Sequence, residues 1–412
     1  MKFIADLHIH SKYSRATSGN MTVEGITKAA KIKGIKLVGT SDFTHPLWLK
    51  ELKSKLVEAG NGIYKYDDVY FILEVEVSNV YTKNGRLRKI HNIIYTPSFK
   101  DIEKINKYLS RFGNLEADGR PTLGLDSESM VEGILSLSPD SFIVPAHIWT
   151  PWFSLFGSNS GFDSIEECYG KYSEEIFAAE TGLSSDPPMN WRLSSLDRIT
   201  LVSNSDAHSP KKLGREANVF DAPLSFYEIK DILKTKDRKR FLYTIEFFPE
   251  EGKYHYDGHR KCVVRLSPKE AILNNNICPV CGKGLTLGVL HRVEELADRE
   301  EGFIPPNAIP YKHAVPLEEI ISEVTGYGKE SMMVKKIYEH LTNVFEGEFN
   351  VLLEVPIKDI ERESDERVAK GVEKMRKGKV HVEPGYDGVF GVVRISKDEE
   401  PETEEKGQLS LF

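Results

Sequence analysis

Two short stretches set imidazole and carboxylate groups at alternate positions around an apolar run: Ile4-Ala-Asp-Leu-His-Ile-His10 and Ser205-Asp-Ala-His-Ser209. In an extended chain, residues i, i+2 and i+4 project to one side. Asp6, His8 and His10 would then share a face, as would Asp206 and His208. Such groups at strand ends suit a divalent cation that polarises a phosphate and acidifies a water. More candidates lie between the two stretches: Asp42 and His45 in Thr40-Ser-Asp-Phe-Thr-His-Pro46, then Glu76, His91 and His147. Nearly every one borders a short apolar run. A solvated strand end explains one such histidine. Five runs carrying ligand chemistry predict strand ends that converge, and a barrel gathers strand ends at one mouth.

The elements that must position them alternate. Strand signals cover 36–40, 70–77, 92–95, 142–145 and 199–202, with helical stretches such as 24–33 and 46–58 between them. Alternation of this kind reads as α/β. The expected organisation is a metallohydrolase barrel over 1–245, a zinc-binding module over 246–304, a small α+β C-terminal domain over 305–396, and an acidic tail over 397–412. Pro305, Pro306 and Pro310 punctuate the second boundary. Helical spacing marks 288–299, 317–324 and 330–345, while 349–355 and 389–395 look like strands. Gly326 and Gly328 between two helices hint at a backbone that approaches phosphates, or form a plain turn.

The zinc module rests on His259-x2-Cys262-x15-Cys278-x2-Cys281. Two short-spaced ligand pairs separated by about fifteen residues fit a tetrahedral structural zinc ion. Gly282 permits the tight turn after Cys281. His255 and His291 are alternatives for the fourth ligand. Four protein ligands leave no open position, so this ion would serve folding. Cys168 stands apart and reads as a core residue.

Composition narrows the class. The chain has 412 residues, 40% hydrophobic and 29% charged, with four cysteines. That is room for two or three domains, without a disulfide scaffold, a membrane-length apolar run or a signal peptide at the start. A monomer in the cytoplasm, associated with the nucleoid, is expected. The net charge of −8 disfavours nucleic acid only superficially, because Asp398–Lys406 holds six acids and one lysine and leaves the rest near −3. Lys211, Lys212 and Arg215, and the run 236–240, are basic clusters, and DNA binding needs a local positive groove. The acidic tail should be disordered. It leads to Gln408-Leu409-Ser410-Leu411-Phe412, an apolar tip with a partner's groove, or its own domain, to join.

The ligand set resembles the PHP (polymerase and histidinol phosphatase) family over roughly residues 1–240. His8 and His10 match its opening His-x-His, Glu76, His91 and His147 its middle ligands, and Asp206 and His208 its closing Asp-x-His. The resemblance implies a distorted (β/α)7 barrel with two or three divalent ions (Zn2+, Mn2+ or Mg2+) at the strand ends. Asp42 matches the Asp of the family's Thr-Asp-His, but Phe43 replaces that His, and His45 stands two residues on. Arg15 occupies the region of a further acidic ligand. Both departures bear on the third metal position.

Longer runs narrow the resemblance: His147-Ile-Trp-Thr-Pro-Trp-Phe153, Glu180-Thr-Gly-Leu-Ser-Ser-Asp-Pro-Pro-Met-Asn190 and Leu213-Gly-Arg-Glu-Ala-Asn218. With the zinc module and C-terminal segment, they are similar to the endonuclease Q family across almost the whole chain. That similarity implies cleavage 5′ to deaminated bases (uracil, hypoxanthine, xanthine) or abasic sites in single- or double-stranded DNA, by a metal-activated water, with Asp206, His208, Glu76 and Asp42 as catalytic candidates. Asp42 would either ligate a metal or orient a ligand. Trp149, Trp152 and Phe153 would form a wedge, a pocket wall or a barrel cap. Ser184, Ser185, Asp186 and Asn190 would read the base or hold phosphate. The terminal pentapeptide is similar to peptides that dock on the bacterial β sliding clamp, and to the shorter core of PCNA-binding peptides; the former implies a bacterial protein. Two other readings remain: a small-molecule phosphatase of the histidinol-phosphatase kind, and a non-catalytic DNA-binding protein with structural metals.

Overall fold

The computed structural model describes residues 1–395. Its spine is an eight-stranded sheet in the order Tyr311–His313, Phe241–Glu246, Ala217–Asp221, Lys2–Asp6, Leu37–Gly39, Val69–Ile72, Ile63–Tyr66, Val57–Gly60. Lys2–Asp6, Leu37–Gly39 and Val69–Ile72 run parallel, whereas Ala217–Asp221 pairs antiparallel with its neighbours on both sides. At Leu73 the chain leaves this sheet for a second, where Arg86–Tyr95 lies antiparallel to both Glu74–Lys83 and Phe142–Pro145. A parallel pair, Ala178–Glu180 and Thr200–Val202, follows.

Alternation wraps these strands round one interior. Ala5, Leu37, Ile72, Ile93, Val144, Ala178, Val202 and Phe220 belong to one buried cluster. Their neighbours Val38, Phe71, Ile94, Ile143, Ala179 and Val219 belong to another, shared with the helices Val23–Lys33, Phe99–Leu109 and Ser127–Leu137. Successive residues thus face the barrel interior and the helical layer in turn. Each of these helices opens on a side chain that accepts a backbone N–H: Thr22, Ser98 and Asp126, satisfying donors the first turn leaves free. Phe226, Ile229 and Leu233 from the helix Phe226–Thr235 join the inner cluster. This helix closes the end where Thr200 starts its strand and donates its hydroxyl to the Leu233 carbonyl at 2.6 Å. The other ends of the parallel strands stay free for polar side chains.

Four expectations are corrected. The strand expected at 70–77 is two strands that break at Leu73 and enter different sheets. The helix expected at 46–58 stops at Lys55, and Val57 opens a strand. Residues 349–355 are a helix, Glu348–Leu353, instead of a strand. A short apolar run suits either, and burial of Phe349, Val351 and Leu352 among neighbouring helices decides it. Of 389–395 only Val392–Arg394 is strand, paired with His381–Glu383. Two helices that were not anticipated, Ile357–Glu363 and Glu366–Arg376, bury Ile360, Val368, Val372 and Met375; their apolar signal lies in spacing and not in density.

The expected boundaries also interleave in space. Tyr311–His313 extends the barrel sheet in parallel with Phe241–Glu246. The hairpin near 381–394 folds back onto the segment expected to bind zinc, where the Gly385 N–H reaches the Glu250 carbonyl at 2.8 Å. No helix among the described residues is long and apolar enough to cross a membrane.

Candidate metal centre

At the free ends of the strands His8, His10, Glu76 and Asp206 bring one donor atom each within 4.8 Å of one another, and Glu76, His91 and His147 form a second such group. Glu76 is common to both. The contacts are short: His10 Nε2 lies 3.1 Å from Glu76 and 2.9 Å from Asp206, while His91 Nδ1 and His147 Nε2 lie 2.6 and 3.0 Å from Glu76. Key atoms meet only one another. His8 Nε2, His10 Nε2 and Asp206 Oδ1 are buried, His10 Nε2 lies 2.9 Å from Asp206 Oδ1, and none of the three finds a partner outside this ligand group among the described residues. Unsatisfied buried donors and acceptors are costly, and divalent cations shared with Glu76 would satisfy these three. The donor set fits such ions: imidazole nitrogen and carboxylate oxygen are what zinc and related metals take.

Three of the four imidazoles are oriented through their other nitrogen. His8 Nδ1 meets Glu180 at 3.0 Å, His10 Nδ1 meets Ser14 and Asp42 at 3.1 and 3.3 Å, and His147 Nδ1 meets Thr150 at 3.2 Å. A carboxylate or hydroxyl behind a ligating histidine fixes its tautomer and points the free lone pair at the metal. Burial opposes charge on His8, but Glu180 and Glu76 outweigh it and raise its pKa well above the usual value. Burial likewise opposes the charge of Glu76, yet Arg120 and the imidazoles hold it well below the usual range. The pocket therefore favours carboxylates that stay ionised and positive charge among them.

The backbone is constrained here. Asp42, His147 and Asp206 have φ of 37°, 30° and 47°, in the left-handed region where a non-glycine residue costs about 1–3 kcal/mol. Gly182 answers one of these bends, since a Cβ there would lie 2.4 Å from that of His147. At Gly119 a Cβ would lie 2.3 Å from Asp42 Oδ2.

Several residues take places other than those expected. Asp6 shares the parity of His8 and His10 but is no ligand. It is buried, accepting the Ser205 and Gly214 N–H groups at 3.0 and 2.8 Å, and so ties the second motif to the first strand. Asp42 orients: it accepts the Ser11 N–H and the Ser14 hydroxyl and backs His10. His208 is in neither group; its Nδ1 faces the Asp206 carbonyl at 2.8 Å, and its ring lies 4.4 Å from that of His10. His45 stacks on Tyr13 at 4.3 Å and joins no ligand group. Spacing alone gave no hint of Glu180 or Arg120. Glu180 also accepts the His147 N–H and the Asn204 amide, and Arg120 donates to Glu76 at 2.9 Å. Glu180 ends the apolar run Ile176-Phe-Ala-Ala, a signal like that before His147, whereas Arg120 sits in a loop with none.

The aromatic and polar loops divide. Trp149 is buried and donates its indole N–H to Asn190 at 2.7 Å, so it braces the loop and is not a wedge. Asn190 and the Ser185 hydroxyl are buried and spent on Asp186 and Thr181 carbonyls, and Asp186 caps the short helix Pro187–Asn190. These three are framework; Ser184 alone of that loop is half-buried without such a bond. Trp152 is 53% exposed, with Lys89 Nζ 5.2 Å from both its ring and that of Phe153. Phe153 leans on His91 at 4.8 Å.

Away from the barrel mouth, His259, Cys262, Cys278 and Cys281 bring their donors within 4.8 Å of one another. Gly282 has φ 69°, and its N–H closes on the Cys278 carbonyl at 2.9 Å. Of the alternative ligands, His291 is taken by Asp257 at 2.6 Å, and His255 is buried, its pKa pushed down to about 4 by desolvation. Cys168 is a buried core residue.

A family model described as the MJ0043 C-terminal domain matches residues 316–379. Uncharacterized protein MJ0043 of Methanocaldococcus jannaschii is 34% identical over 253 residues, which is 60% of this chain and only 31% of that protein. Uncharacterized protein YqxK of Bacillus subtilis is 29% identical over 95% of this chain and 99% of its own. Among solved structures, the lesion-specific endonuclease PfuEndoQ of Pyrococcus furiosus superposes with a TM-score of 0.87 at 34% identity, covering 96% of both chains. An endonuclease Q complex with a 27-mer duplex bearing an abasic lesion at its active site gives 0.84 at 34% identity, over 96% of this chain and 97% of that one.

Proposed function

The chain belongs to the endonuclease Q family, and from that membership we propose that it is a metal-dependent DNA-repair endonuclease cutting the phosphodiester on the 5′ side of deaminated bases and abasic sites. The observation that carries the reading is the pair of ligand groups sharing Glu76, with buried atoms of His8, His10 and Asp206 that meet no partner outside the cluster. A pair of divalent ions there would supply Lewis acidity and an acidified water for hydrolysis of a phosphodiester.

The chain's own groups fit that task. His8, His10, Glu76 and Asp206 hold one position, and Glu76, His91 and His147 the other. Arg120, anchored on Glu76, adds a fixed positive charge suited to the non-bridging oxygens of phosphate. His208, its Nδ1 committed to the Asp206 carbonyl, keeps Nε2 to ligate or to pass a proton to the leaving oxygen. Beside the mouth, exposed Trp152 and the ring of Phe153 offer stacking surface for a base taken out of the duplex, with Lys89 over both rings for phosphate, and half-buried Ser184 is assigned to the base edge. Lys211, Lys212 and Arg215 lie a few residues past Asp206 and are assigned to the DNA backbone. Gln408–Phe412, outside the described residues, is assigned to a sliding clamp.

The test is direct. Labelled duplexes with a single uracil, hypoxanthine or abasic site are incubated with protein and Mn2+ or Mg2+, and the nick is mapped to the nucleotide. Cleavage 5′ to the lesion, lost in Asp206→Asn with the fold intact, is expected. Rapid turnover of a simple phosphomonoester with no nick, or lesion binding without cutting, would overturn the reading.

A further inference from the structure

A second charged recess lies between the barrel and the C-terminal helices. It encloses about 120 Å3 and is lined by Lys33, Lys212, Arg215, Glu319, Lys329 and Phe349, among others, with room for several waters or one phosphate group. Its ion pairs are incomplete. Lys33 is taken by Glu348 at 2.5 Å, Lys211 by Glu330 at 3.0 Å, and Lys329 by Glu319. Lys212 and Arg215 have no acid within ion-pair reach among the described residues, and Arg215 Nε is buried without any hydrogen-bond partner. Burial, and then the repulsion of Arg215 and Lys329, lowers the pKa of Lys212. Glu318 and Glu319 also line the recess and offset part of this charge, but neither pairs with Lys212 or Arg215, and like charges brought together away from water cost free energy unless an anion joins them.

On the opposite wall Lys329 and Glu330 line the recess, at the end of a loop with uncommitted backbone donors. Between the helices Leu317–Thr325 and Met332–Val344 the chain runs Gly326-Tyr-Gly-Lys-Glu330. Gly326 has φ 73°. The N–H groups from Tyr327 to Glu330 meet no acceptor among the described residues. They stand just ahead of the 13-residue helix capped by Ser331, where backbone N–H groups and the helix dipole both favour negative charge.

We propose that this recess is a phosphate subsite, separate from the hydrolytic centre, in which Lys212 and Arg215 from the barrel and the Gly326–Glu330 loop grip one backbone phosphate of the bound DNA. The inference rests on the DNA-cleaving reading above and extends it: two parts of the chain that share no metal ligand hold one strand between them. The Asp206–Arg215 loop links the subsite to the metal centre, so a strand held here is registered against the scissile bond.

The test uses the full chain, with metal content measured to show that the barrel is intact. A fluorescent undamaged duplex is titrated by anisotropy at 50 and 200 mM salt against wild type, Lys212→Met/Lys329→Met and Arg215→Gln. Each phosphate that the protein no longer neutralises lowers the slope of log K against log salt by about 0.9, so a variant's affinity should fall about three- to fourfold less than wild type's across that range, and its affinity at low salt should be the weaker. Wild-type slope and affinity in both variants would overturn the subsite while leaving cleavage by the wild type as evidence for the parent reading. A wild type that neither binds nor nicks DNA would instead remove the parent reading and the subsite with it.

Discussion

Replacing Glu180 by glutamine tests whether a carboxylate that touches no metal governs the metal site. Glu180 accepts from three directions: His8 Nδ1 at 3.0 Å, the His147 N–H at 3.0 Å and the Asn204 amide at 2.8 Å. All three are donors when His8 ligates through Nε2. Glutamine keeps the shape but turns one oxygen into an NH2 group. Whichever way the amide lies, it sets a donor against a donor in a fully buried place. One unsatisfied buried group costs about 1–3 kcal/mol. Loss of such a partner behind a metal-ligating histidine costs about 10–100-fold in metal affinity, which at 1.4 kcal/mol per tenfold is about 1.4–2.8 kcal/mol. The two figures agree, so Glu180→Gln should weaken Mn2+ or Zn2+ binding by one to two orders of magnitude, read by competition with a chromophoric chelator. Nicking should recover at excess metal, because the ligands themselves remain. Wild-type metal affinity in this variant would refute the argument that Glu180 sets the His8 tautomer.

Other outcomes follow from the same geometry. Gly182→Ala should lose at least roughly 1–2 kcal/mol from the left-handed backbone alone, and more from the collision with His147; an unchanged melting temperature would contradict it. Burial raises the Glu246 pKa from 4.5 to about 7 despite its Ser203 and Thr244 donors. A carboxyl whose folded pKa lies above its unfolded one favours folding at low pH and loses that contribution as pH rises from about 4.5 to about 7. The melting temperature of Glu246→Gln relative to wild type should therefore climb across that window, and a constant difference would count against it. Cys278→Ser should remove one zinc per chain by elemental analysis and open the segment from Asp257 to Val289 to limited proteolysis, since structural zinc contributes folding energy outright; full zinc content would dismiss the four-ligand site.

The candidate ligand residues were legible because imidazole and carboxylate recur beside short apolar runs. His8 and His10 carry the period of an extended chain, Glu76 alternates with Val75 and Val77, and His147 closes an apolar run. What spacing could not supply was the layer behind them. Asp6 has the same parity as the histidines, and only the Ser205 and Gly214 donors show that its carboxylate is committed elsewhere. Arg120 is bracketed by Gly119 and Pro121, and its role exists only because the loop folds over Glu76. Trp149 and Trp152 look alike in sequence, yet one finds Asn190 inside and the other finds solvent. In the C-terminal segment a run of apolar residues suggested a strand where long-range packing makes the helix Glu348–Leu353, and a charged stretch hid two helices whose apolar positions recur every three or four residues.

The three residues Tyr311–His313 seal the barrel sheet by lying along Phe241–Glu246, although some sixty residues of other structure intervene. During synthesis the ribosome must release the whole zinc segment before that flank is covered. Until then a hydrophobic ribbon presents open amides and carbonyls, the template on which foreign chains add themselves. A product truncated before residue 311 should accordingly tend to precipitate, even with every metal ligand of the barrel in place.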